Sequence, residues 1–161
     1  MPARGDRGAT LAELLVVLVI VSVLAVVALP MAETTLQRRN EIGLRETLRE
    51  VRTGIDRFHA DWRDGAMDDE AEGVSENGYP ETLAVLITGV EAADEEKPSL
   101  RYLRRLPQNP FSPSDSRLEQ QWRYVGYTQD LGDRRWNEED IFDLRPLTDR
   151  KALDGSDISN W

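Results

Sequence analysis

The sequence predicts an α+β chain in which one long helix comes first and a small antiparallel sheet comes last. Three observations predict it. Residues 14–29 form an uncharged apolar run whose one polar side chain is Ser22. Leu44, Leu48, Val51, Ile55, Phe58 and Trp62 then recur at alternating spacings of four and three, the period of a helix with one buried stripe. Late in the chain Trp122, Tyr124 and Gly126 alternate with Arg123, Val125 and Tyr127, the period-two pattern of a strand.

The N-terminal segment opens with Arg4 and Arg7, then Gly8, then the apolar run. From Ala9 to Leu29 it has roughly the 20 residues that a helix needs to cross a bilayer. The two arginines ahead of the span, with an acidic chain behind it, predict a cytoplasmic N-terminus and an external remainder, which in a two-membrane cell is the periplasm. Glu13 interrupts the run near its entrance. A carboxylate costs about 2.5–3.5 kcal/mol at mid-membrane and less toward the edge, so Glu13 calls for a partner or a task. Pro30, at the end of the run, removes a backbone donor and is expected to kink or break the helix there.

Helical patterning resumes at Met31 and continues to about Trp62, with Arg38, Arg39, Glu41, Arg45, Arg49, Glu50, Arg52, Asp56 and Arg57 on a solvated face. Gly43 and Gly54 each cost about 1 kcal/mol relative to alanine, so tertiary packing must hold this half. Residues 63–79 read as a turn-rich, solvated acidic loop, 83–87 as one or two helical turns, and 91–99 as a second acidic loop. Residues 102–111 are too rich in proline for a long element. A second strand is expected over 141–145, with turn residues over 131–137 between the two strands. Two strands alone are only marginally stable, so they are expected to lie against the apolar stripe.

Composition narrows the function. The 161 residues carry a formal charge of −10, and removing Met1 to Gly8, with two arginines and one aspartate, takes it to −11. Such a surface repels nucleic acid, whose binding requires basic side chains to neutralise phosphates. With no cysteine there is no disulfide, zinc-thiolate site or thiol nucleophile. There is no glycine-rich phosphate loop and no recognisable Ser/His/Asp set, and His59, the one histidine, reads as a surface or boundary residue. The chain is therefore expected not to be an enzyme.

Gly8-Ala9-Thr10-Leu11-Ala12-Glu13-Leu14-Leu15 resembles the type IV prepilin signature, a basic leader ending in glycine followed by an apolar helix with an early glutamate. A secretory signal peptide cut near Val26-Val27-Ala28 and a plain membrane anchor are the alternatives, and both leave Glu13 unexplained. The resemblance implies that a prepilin peptidase cuts between Gly8 and Ala9 and methylates Ala9, a position usually held by phenylalanine. It further implies that Glu13 pairs with the terminal amine of a neighbouring subunit during assembly. The chain then divides into a leader over 1–8, a transmembrane and filament-core helix over 9–30, and a periplasmic domain over 31–161.

Further pieces are similar in order to the major pseudopilin of type II secretion: Tyr79-Pro80, Tyr102-Leu103-Arg104-Arg105-Leu106-Pro107, Asn109-Pro110-Phe111, and the stretch from Asp154 to Trp161. The acidic insertions over 64–77 and 91–97 depart from that pattern, as does Asn109, where the family has an acid. Pilin-like chains also include type IV pilins and minor pilins, many of which close a C-terminal loop with a disulfide that this chain cannot form. What the pseudopilin resemblance implies is a subunit of a periplasmic filament that drives protein secretion. Its partners would be further copies of the chain, other pseudopilins, the prepilin peptidase and the inner-membrane assembly platform. The resemblance also implies a calcium ion at the C-terminal loop, on Asp149, Asp154 and Asp157. An aspartate-rich loop with Gly155 suits calcium, which takes 6–8 oxygen ligands in irregular geometry.

Overall fold

The computed structural model describes residues 10–161 apart from 69, 95, 114, 131, 132 and 134. Helix α1 spans Leu11–Arg63 and α2 spans Val85–Thr88, strands β1 and β2 are Trp122–Val125 and Asp143–Pro146, and short 3-10 turns cover Leu118–Gln121 and Ile158–Asn160. The chain forms two compact units, α1 as far as Arg38 and Arg39–Trp161. The expected α+β class, a long N-terminal helix with a small antiparallel sheet behind it, is what the chain adopts.

In the first unit the large apolar side chains from Leu11 to Val26 whose placement is described are each at least 54 % exposed. The helix is long and apolar enough to cross a membrane. Ser22 suits an apolar medium because its hydroxyl donates to the Leu18 carbonyl at 2.7 Å. Of the two outcomes expected at Pro30, the break does not occur: the proline lies inside α1, and the helix continues through it. An interior proline costs about 3 kcal/mol through its missing N–H and its ring's clash with the preceding turn, which does not end a helix favoured by long patterned segments on either side. The hydroxyls of Thr34 and Thr35, bonded back to the carbonyls of Pro30 and Met31 at 2.8 Å, tie down the turn that follows.

In the second unit the stripe of α1 forms the spine of the core. Leu44, Leu48, Val51, Ile55 and Phe58 are at most 2 % exposed and meet Leu86, Ile141, Leu144 and Ile158, which are fully buried or nearly so. Trp62, expected on the same stripe, is instead 39 % exposed. Its ring lies over Gly78, whose φ of +75° and lack of a side chain make room for it, since a Cβ there would fall 2.1 Å from the indole. Gly54 is also a packing position: a Cβ would stand 3.3 Å from the Leu103 side chain, so the glycine admits the loop at 102–111 onto the helix.

Strands β1 and β2 pair antiparallel, Trp122 opposite Pro146 and Val125 opposite Asp143. Strand β2 begins two residues later than predicted. Ile141 instead donates its N–H to the Pro80 carbonyl at 2.8 Å, and its side chain enters the core. The acidic loop over 63–79 is less solvated than its composition implies. Met67 and Tyr79 are buried, and Ser75 and Asn77 donate to Asp140, which also accepts the Tyr127 N–H at 2.7 Å. Asp140 is fully buried, yet it carries enough donors to satisfy a carboxylate. Asn109 is buried against Gln121: its Nδ2 donates to the Gln121 carbonyl at 3.1 Å, a bond that an aspartate cannot make.

Candidate functional site

Two regions hold the site residues predicted from sequence. The first is the start of α1. Thr10 precedes the helix, and its hydroxyl accepts the Glu13 N–H at 3.2 Å while its own N–H donates to Glu13 Oε2 at 2.7 Å. This reciprocal pair is a capping box, which satisfies two backbone donors that the first turn leaves without partners. Glu13 thus has a partner within its own chain, and its negative charge faces the positive end of the helix dipole. Oε1, the second carboxylate oxygen, accepts no hydrogen bond from any described residue, and the side chain is exposed. Gly8 and Ala9 lie outside the described residues.

The second region is the loop that contains Asp149, Asp154 and Asp157, all exposed. Asp154 Oδ1 accepts both the N–H and the hydroxyl of Ser156, at 2.9 and 2.6 Å, and Oδ2 lies 3.8 Å from the Arg45 guanidinium. The Ser156 hydrogen bonds, with Arg45 beyond them, hold the Asp154 carboxyl below its ordinary range. Asp157 lies 3.8 Å from Lys151. Among the described residues no group of three or more acidic, histidine or cysteine side chains converges as a metal site. The structure therefore does not bring the three aspartates together as the calcium expectation requires. His59 stacks between Trp62 and Tyr79, with ring centroids at 5.5 and 4.3 Å, and its Nδ1 lies 3.2 Å from the Gly78 carbonyl. It is a packed boundary residue.

A family model described as the prokaryotic N-terminal methylation motif matches residues 3–29. The chain carries a type IV pilin-like prepilin signal. The match takes in the basic leader, the assigned cut, Glu13 and the apolar run, and ends just before Pro30. No curated protein and no solved structure matches the chain.

The prepilin signal and the capping box occupy the same residues. The signal implies processing by a prepilin peptidase, pilus-like assembly with membrane machinery, and anchoring through the apolar helix. Sequence reasoning singled out Glu13 but not Thr10 as its partner. The cue was present: threonine and glutamate three apart, directly ahead of an apolar run, is the pattern of a helix start.

Proposed function

We propose that this chain is a pseudopilin of type II secretion. It waits in the inner membrane with its C-terminal domain in the periplasm, is cut between Gly8 and Ala9, is methylated on Ala9, and polymerises into a periplasmic filament that drives protein export. The observation that carries the reading is the prepilin signal over residues 3–29 with Glu13 set in an otherwise apolar helix. The absence of cysteine and the order of the Tyr102–Phe111 and Asp154–Trp161 pieces favour a secretion filament over a type IV pilus or a minor pilin.

Glu13 supplies the assembly step. Among packed apolar helices a carboxylate is stable only when paired. One oxygen is held by the Thr10 N–H, and the other is open to a cationic donor. The amine of a neighbouring subunit, exposed by the cut at Gly8, meets that requirement and sets the stagger between adjacent helices.

The test is the intact mass of the chain extracted from membranes of a cell that contains prepilin peptidase, alongside the Gly8→Ala variant. A chain that begins at Ala9 with one added methyl group is expected, with Gly8→Ala remaining uncut and protein release by the cell lost. A chain beginning near Leu29 makes this an exported soluble protein and removes the role given to Glu13. An uncut wild-type chain makes it a plain anchored protein.

A further inference from the structure

We infer that the C-terminal loop is closed by side chains of α1, with Arg45 at its centre, and needs no bound calcium ion. The loop first closes on itself: Ala152 donates to the Ser156 carbonyl at 2.8 Å and Gly155 to the Ala152 carbonyl at 2.9 Å, with Gly155 at φ +85°. Ile158 then carries it into the core, where its side chain is fully buried.

Side chains from α1 and β1 hold it there. Glu41 Oε1 accepts the Leu153 N–H at 2.8 Å. Arg52 Nη2 donates to the Trp161 main-chain oxygen at 2.7 Å, while Arg52 Nε grips Asp143 at 2.7 Å. Arg123 donates to the Ser159 carbonyl at 3.1 Å. Arg45 completes a circuit: its guanidinium lies 4.2 Å from the centre of the Trp161 ring, the indole N–H donates to the Ser156 hydroxyl at 3.1 Å, and that hydroxyl donates to Asp154, beside Arg45.

A calcium ion at the same place has too few ligands and the wrong neighbours. It takes 6–8 oxygens. Here Asp154 Oδ1 is already committed to two donors of Ser156, and the cationic ends of Arg45 and Lys151 stand where a divalent ion meets repulsion. Arg45 supplies the positive charge in place of the ion. It reaches the loop from a rigid helix and covers the Trp161 ring, a cation–π contact of the kind that guanidinium groups favour.

The test uses the full chain in detergent, with three readouts: thermal unfolding in calcium chloride and in EDTA, Trp-sensitised luminescence of added terbium as a calcium probe, and the rate of tryptic cleavage after Arg150 and Lys151. Wild type is expected to unfold at the same temperature in both solutions and to sensitise no terbium emission. Arg45→Ala is expected to be cut about three- to fivefold faster, with calcium failing to slow the cut, since a lost exposed cation–π contact raises the open population by about that factor. Arg45→Lys, which keeps the charge but not the planar stack, is expected to fall between the two. The inference is overturned if calcium raises the unfolding temperature of wild type and Asp154→Asn abolishes that rise, or if Arg45→Ala is cut at the wild-type rate.

Discussion

Under the proposed assembly step the two carboxylate oxygens of Glu13 have two different tasks, and they can be separated chemically. Oε2 accepts the Thr10 N–H and completes the capping box. In the proposed filament Oε1 is the oxygen that meets a neighbour's amine, and only the ionised form attracts an amine strongly. Glutamine keeps an oxygen that accepts from Thr10, because the capping box works with either residue, but it removes the charge. Glu13→Gln is therefore expected to insert and be processed as wild type yet assemble as poorly as Glu13→Ala, by counts of filaments in electron micrographs. Normal filament numbers with glutamine reduce Glu13 to a helix cap. At this scale Glu13 itself was legible, and its partner Thr10 was missed although the capping-box spacing was there to be read. The sequence was silent on Asn109, whose departure from the resembled family has its reason in Gln121, twelve residues on, and on the Asp140 network, whose donors lie more than sixty residues upstream as well as beside it.

Elements were legible in proportion to their periodicity. The α1 stripe was read correctly from Leu44 to Phe58 because spacing alone determines which helical side chains share a face. It failed at Trp62, where a glycine from another turn decides the packing, while at Pro30 the helix runs on through the proline without breaking. What fastens the irregular segments to α1 is side-chain chemistry that no period reveals. Tyr102 is the clearest example: its hydroxyl donates to Asp61 Oδ2 at 2.9 Å, and its ring meets the Phe58 ring edge-on at 5.2 Å. Burial first, then the bond to Asp61, pushes the phenol well above its ordinary pKa near 10. A group with a raised folded-state pKa contributes its stability fully below the unfolded value and loses it above, because the unfolded chain releases the proton first. Unfolding free energy is therefore expected to hold up to about pH 10 and fall beyond it. Tyr102→Phe should be less stable at neutral pH and show a shallower alkaline decline. An equal slope in the variant, measured by denaturant titration across that range, assigns the decline to other groups; Tyr79, also raised by burial, is the first to examine.

At the scale of the whole molecule, the proposed filament has to bring together chains that each carry about −11 once the leader is removed, a count that follows from the −10 of the full sequence. Like net charge opposes association at long range. The apolar helix acts only on contact, and the pair between Glu13 and a neighbour's amine sits among apolar side chains, where salt screens little. The two forces therefore respond differently to ionic strength. The Debye length shrinks from about 30 Å at 0.01 M salt to about 8 Å at 0.15 M, which removes most of the repulsion between domains and leaves the helix contacts intact. Processed full-length chain, after detergent removal, is expected to yield more sedimentable polymer at 0.15 M sodium chloride than at 0.01 M, while Glu13→Gln stays unassembled at both. A polymer that dissolves as salt rises would mean that complementary charges between domains hold the filament together. The arginines on the solvated face of α1, Arg39, Arg49 and Arg57 among them, would then be its contacts with the acidic loops of the next copy.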